Sequence, residues 1–183
     1  FRGAATTSAR SGALGTAAEL YERALAVGGP SVAGLLGLAE VLIGAGRFGE
    51  AVAPATTALD LVATAEEGRA VRFTLADAHL GRGDGAAARH HLDALHGLAL
   101  DPREDARLRV LEARSALAAD RDERARVAAH LAAQAVGVAE RAGAVDIACE
   151  ALELVSLCRR DRSLAGAIEP LDPAAQATFM GSA

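Results

Sequence analysis

Leu38-Ala39-Glu40-Val41-Leu42-Ile43-Gly44-Ala45-Gly46 returns 37 residues later as Leu75-Ala76-Asp77-Ala78-His79-Leu80-Gly81-Arg82-Gly83. It returns again, 37 further on, as Glu112-Ala113-Arg114-Ser115-Ala116-Leu117-Ala118-Ala119-Asp120. The anchors Ala39, Ala76 and Ala113 carry the period, and Ala5 lies 34 residues before Ala39. Twelve residues after each anchor stands another alanine: Ala17, Ala51, Ala88 and Ala125. Seven after stand Gly12, Gly46, Gly83 and then Asp120; nineteen after stand Ala24, Ala58, Leu95 and Ala132. A small residue in one helix then faces a small residue in the next, and the Gly or Asp between them turns the chain. A hairpin of this length cannot bury its own apolar face and must stack on a neighbour. The pattern therefore predicts an all-α chain, an α-solenoid of stacked antiparallel helix hairpins.

Local signals agree with that reading. Val32, Leu35, Leu36, Leu38, Ala39, Leu42 and Ile43 form an apolar stripe of helical period, with Ser31 as its N-cap. Asp84 caps the helix carrying Leu92 and Leu95; Asp101-Pro102 is an N-cap followed by Pro at the first helical position. Asp122 caps a helix that runs to Arg141 and ends at Gly143, and a further helix spans about Val145 to Arg160. An interior proline costs about 3 kcal/mol, so Pro54 predicts a kink or a late helix start. The expected layout is one array over 1–169, with anchors near 5, 39, 76 and 113 and a degenerate register beyond 143. An irregular tail follows over 170–183.

Composition narrows the function classes. All 19 basic residues are Arg, Lys and Asn are absent, and 47 of the 183 residues are Ala. Aromatics make 3% and Trp is missing, so the core must be built from Ala, Leu and Val and must be close-packed. The missing Lys and Asn read as the codon bias of a GC-rich genome. A net charge of −5 argues against direct nucleic-acid contact, which draws on a basic excess. No uncharged apolar run is long enough to span a membrane, and two cysteines are no disulfide framework, so a cytoplasmic location is expected. The chain starts at Phe1 and its one Met is Met180, which suggests a fragment of a longer protein.

The repeat resembles the tetratricopeptide (TPR) family, whose pattern is Gly or Ala in helix A, Gly at the turn, Ala early in helix B, an aromatic four later and Ala after that. Ala5, Gly12, Ala17, Tyr21, Ala24 and Pro30 follow it in the first copy, with Phe1 where the family usually has Trp. Leu35, Leu38, Ala39, Gly46, Ala51 and Ala58 follow it in the second, and Leu75, Ala76, Gly83, Ala88 and Leu92 in the third. The fourth departs at Asp120, and the likeness covers roughly residues 1–142. The stretch from Val138 to Glu153, followed by Cys158 to Leu164, is similar to the helical-repeat region of large LuxR-type transcriptional regulators. That family carries an N-terminal ATPase module, a TPR-like middle and a C-terminal helix-turn-helix. The likeness fades near Ala165, which suggests truncation or a frame change. Neither the ATPase motif nor a recognition helix stands in this chain, so the family's ATP and DNA binding would belong to other parts.

Motifs that could carry chemistry are few. Gly44-Ala45-Gly46-Arg47-Phe48-Gly49 fits a dinucleotide fingerprint, but the fingerprint needs a preceding strand, and here the glycines fall on the repeat turn. Without Lys there is no P-loop. Of His79, His90, His91, His96 and His130, the pair His91 and His96 is five apart and out of phase on a helix; His90 and Asp93 lack a third ligand. Surface or groove histidines are expected, and no metal. Cys149 and Cys158, nine apart, point to opposite faces of one helix, with Cys149 read as a small core residue. From Arg103 to Arg126, seven Arg alternate with six acids, which reads as a solvated face laced with i,i+4 pairs.

The TPR resemblance places Leu36, Glu40, Phe73, Asp77, Arg107, Val110 and Arg114 on the concave groove lined by helices A. TPR domains that clamp a C-terminal carboxylate use Lys and Asn there, and this chain has neither. The expected function is a non-catalytic interaction or sensor region of a LuxR-type regulator. It needs no cofactor of its own and binds a protein or peptide partner, or a small inducer, in the groove. A stand-alone TPR adaptor is the alternative. A helical enzyme domain finds no nucleophile–base pair, paired carboxylates or metal set to support it.

Overall fold

The structure, a computed structural model, describes residues 2–118 and 123–160. All regular structure among them is helical. The elements are α1 (Arg2–Gly28), α2 (Val32–Gly44), α3 (Phe48–Asp60), α4 (Ala65–Gly81), α5 (Gly85–Asp93), α6 (Pro102–Ala118), α7 (Glu123–Arg141) and α8 (Val145–Arg160). The chain divides into two compact units, Phe1–Leu98 and Ala99–Ala183. In the first, α1 to α5 pack consecutively and α2 also packs on α4; in the second, α6, α7 and α8 pack on one another. No helix among the described residues is long and apolar enough to cross a membrane.

The turns follow from backbone chemistry. At the end of α2, Gly46 has φ 75°, its N–H bonds to the Ile43 carbonyl and the Arg47 N–H reaches back to Leu42 at 2.8 Å. This double bond pattern is the Schellman motif, and its left-handed residue is cheapest as glycine. It recurs with Gly83, whose N–H bonds to Leu80 while the Asp84 N–H bonds to His79, and with Gly143 between α7 and α8.

Helix starts are equally explicit. The Ser31 hydroxyl accepts from the Gly34 N–H at 3.2 Å, and Asp84 Oδ1 accepts from the Ala87 N–H at 3.0 Å. Asp101 and Glu104 cap each other reciprocally, at 2.8 and 3.0 Å, with Pro102 opening α6. Thr64 and Glu67 form a second capping box, at α4. Gly143 ends the α7 segment and α8 spans the predicted Val145–Arg160. Asp120, Asp122, and the tail over 170–183 lie outside the described residues.

Alanines hold the interior. Ala39, Ala51, Ala76, Ala88 and Ala113 are fully buried, as are Ala58, Leu95 and Ala132 at the later repeat position. Ala39, Ala51, Ala55 and Ala58 share one core cluster with Leu35, Leu38, Leu42, Val71 and Leu75. Where a bulky side chain does enter a helix contact, a glycine receives it. Leu25, Tyr21 and Leu14 of α1 fill the space beside Gly34, Gly37 and Gly44 of α2, descending one helix as they ascend the other, so the pair is antiparallel. The Phe48 ring of α3 lies against Gly81 of α4 in the same way.

Two expectations are corrected. The first copy has no turn at Gly12: α1 runs unbroken from Arg2 to Gly28. A glycine inside a helical run costs only about 1 kcal/mol relative to Ala, and an Ala-rich run offers no other stop signal. In the same helix the buried small residue is Ala18, 2% exposed, while Ala17 is half-buried and Ala24 exposed. Of the two outcomes expected at Pro54 the late start does not occur: α3 begins at Phe48 and Pro54 lies inside it. The lost N–H would have bonded the carbonyl of Glu50, an exposed residue, where water can take its place.

Two glycine substitutions are expected to have opposite signs. Gly81→Ala drives a methyl into the Phe48 ring and costs about 1–3 kcal/mol. Gly15→Ala meets nothing within 4 Å and gains up to about 1 kcal/mol of helix propensity. Urea unfolding of the two variants beside the parent checks both. The first should lose most of its effect when Phe48 is already Ala.

Candidate functional site

The seven residues placed on a groove fall in both units. On α2, Leu36 is half-buried against the core cluster and Glu40 is exposed. On α4, Phe73 is 2% exposed and Asp77 half-buried. On α6, Val110 is 1% exposed, while Arg107 and Arg114 are half-buried. Phe73 and Val110 are thereby corrected from groove to core. A scarce aromatic in an Ala-rich chain is worth most when its whole area leaves water, and Val110 packs with Ala106, Ala135 and Ala139.

The arginines of α6 reach across helices as well as along their own. Arg103 pairs with Asp146 and Arg114 with Glu150 at 3.4 Å, both on α8. Arg109 pairs with Asp105 four residues back at 3.3 Å and donates to Gln134 Oε1 at 2.8 Å; Gln134 in turn meets His130 at 2.7 Å. Arg109–Asp105 is an i,i+4 pair of the expected kind. The others tie α6 to α7 and α8, and each exposed pair contributes about 0–1 kcal/mol.

Cysteine burial is the reverse of the expectation. Cys158 is buried with Ala128 and Ala129, and Cys149 is exposed. The buried stripe of α8 is Ile147, Ala148, Ala151, Val155 and Cys158, so Cys149 falls off it. The two do point to different faces. Gly44, Gly46 and Gly49 lie between and within helices, at the α2–α3 turn.

One constellation was not read from the sequence. His79, in the last turn of α4, stacks on His91 of α5, with ring centroids 5.6 Å apart and 18° between planes. His90 meets His91 edge-on at 5.3 Å. Nδ1 of His79 and Nδ1 of His91 are both buried without a hydrogen-bond partner, and Asp84 Oδ2 lies 3.8 Å from the former. Burial holds the His79 imidazole below its ordinary pKa; Asp84 pulls it up and Arg82 down. Burial, followed by His79, His90 and Arg72, pushes His91 down to about 4. Both are therefore neutral near pH 7. Among the described residues no three His, Cys, Asp or Glu side chains gather as a metal set. Each histidine was weighed on its own helix, and the two meet only across the α4–α5 hairpin.

Phe73→Ala is expected to cost about 3–5 kcal/mol, the range for emptying an aromatic core site. Glu40→Ala should stay within about 0.5 kcal/mol, as for an exposed surface change. Thermal melts followed by circular dichroism distinguish a core position from a surface one. Comparison with known proteins gives no match to a family model, a curated protein or a solved structure.

Proposed function

We propose that the chain is a TPR-like α-solenoid serving as the interaction or sensor region of a LuxR-type transcriptional regulator. One observation carries the reading. Helix, Schellman glycine and helix recur 37 residues apart, at Gly46 and Gly83, with Ala39 and Ala51 buried in one hairpin and Ala76 and Ala88 in the next. Hairpins of this kind present broad helical surfaces to a partner and leave chemistry to other modules. Phe73 and Val110 are buried, and of the residues expected on the groove the exposed one is Glu40. A protein or peptide partner, or a small inducer, acts by binding one arrangement of the array more tightly than another. The difference biases the neighbouring modules.

The coding sequence on either side of this stretch tests the family. A P-loop ATPase module is expected upstream and a helix-turn-helix downstream. A frame with neither overturns the regulator assignment. In that case a defined protein that binds the parent chain, but not a Glu40→Arg chain of unchanged melting temperature, establishes the stand-alone adaptor instead. An experimental structure without stacked antiparallel hairpins overturns the solenoid itself.

A further inference from the structure

We propose that the stacked His79–His91 pair is an acid-sensitive latch, holding α5 against α4 while both imidazoles are neutral and releasing α5 when the pair is protonated. The repeat register shows that this position is unusual. Thirty-seven residues earlier the equivalent pair is Leu42 and Pro54, and 37 later it is Ala116 and Ala128. Leu42 is 3% exposed, and Ala116 packs against the buried Ala128. A pair of apolar residues at these positions is thus replaced, in one copy, by two titratable rings whose buried Nδ1 atoms have no partner.

The surroundings accept at most one proton. The charges that act on the pair come from Arg72 on α4, Arg82 and Asp84 in the turn, and His90 on α5. Glu40 on α2 and Glu50 and Asp60 on α3, the other helices packed on α4, are exposed and are not among them. Asp84 is the single carboxylate of the set. Its Oδ1 already accepts from the Ala87 N–H, and its Oδ2 stands beside His79. A proton on His79 therefore has a counter-charge. A second, on His91, would face a charged His79, His90 and Arg72 in a partly buried contact.

The element to be released is short. α5 has nine residues, below the roughly 12–15 at which an isolated helix becomes even marginal in water. Its packing partner within the unit is α4, through Ala88 and Leu92 beside the histidines. The direction of the pH effect follows from linkage. Once α5 is released, His91 regains the ordinary imidazole value of about 6.5, above its value of about 4 in the closed hairpin. The open form binds the proton more tightly, so acid favours opening. The opening constant rises roughly tenfold per pH unit below about 6.5 and levels off near 4.

Hydrogen exchange read by mass spectrometry on the full chain, corrected for intrinsic rates, tests the latch between pH 7.5 and 4.5. Peptides covering α5 should exchange roughly tenfold faster at pH 5.5 than at 7.5, while those from α2 and α3 keep their protection. In His91→Leu, which restores the apolar character of the neighbouring copies, the α5 profile should be flat. His91→Gln serves if the leucine variant does not fold, and the titration of His91 by NMR in the parent chain gives a reading independent of either. A common profile for parent and variant overturns the proposal. So does release of α2 and α3 together with α5, or titration of His91 at the ordinary imidazole value.

Discussion

Everything in this structure depends on helices approaching one another through methyl groups. A buried methyl contributes about 0.8 kcal/mol, against about 1.5–3 for a buried Leu or Phe. A chain with 47 alanines and 3% aromatics must therefore gain its stability from many contacts at short range. The backbones can come close only where neither partner carries bulk, so Ala39, Ala51, Ala76, Ala88, Ala113 and Ala132 are all fully buried. The few large side chains obey the same constraint from the other side. Tyr21 meets Gly37 and Phe48 meets Gly81, each ring placed where the opposite helix has no side chain at all.

Close approach in turn demands short, well-defined connections. Gly46 and Gly83 provide them by taking a left-handed conformation that lets two N–H groups return to the last turn of the preceding helix. The caps at Ser31, Thr64, Asp84 and Asp101 satisfy the opposite ends. Helix ends are thus fixed by local hydrogen bonds, and helix faces by the alanine period. These are separate signals in the sequence, and they agree over α2 to α6.

Much of this was legible because it is local or periodic. The turn glycines, three of the four caps and the buried alanines follow from residue types at fixed spacing. What failed depended on context. Gly12 resembles a turn glycine in spacing, but nothing around it stops a helix, so α1 continues. Ala17 and Ala18 are both alanine, and only the direction of α2 decides which is buried. Phe73, Val110 and the two cysteines were assigned to faces by a family pattern or by residue type, whereas burial is settled by which neighbour each helix finds. The stacked histidines were the hardest. Neither is unusual on its own helix, and they meet only when the two arms of the hairpin are laid together.

A chain of consecutive helix contacts also has a distinctive energetics. Each helix in the first unit is held mainly by those next to it, so stability is close to a sum of nearest-neighbour terms. In such an arrangement a weak contact does not have to bring down the whole unit. It sets the free energy of a local opening, drawn from the low end of the stability range. One apolar cluster joins α1 to α4 through Ala18, Leu35, Ala39, Ala51 and Leu75, and its buried members do not include α5. The short helix α5 packs on α4 outside that cluster. Placing two unpartnered imidazole nitrogens between α4 and α5, where the register-equivalent positions hold Leu42, Pro54, Ala116 and Ala128, puts a titratable contact outside that cluster. A similar pair at Ala39 and Ala51 would couple titration to the whole core. At His79 and His91 it couples to one helix.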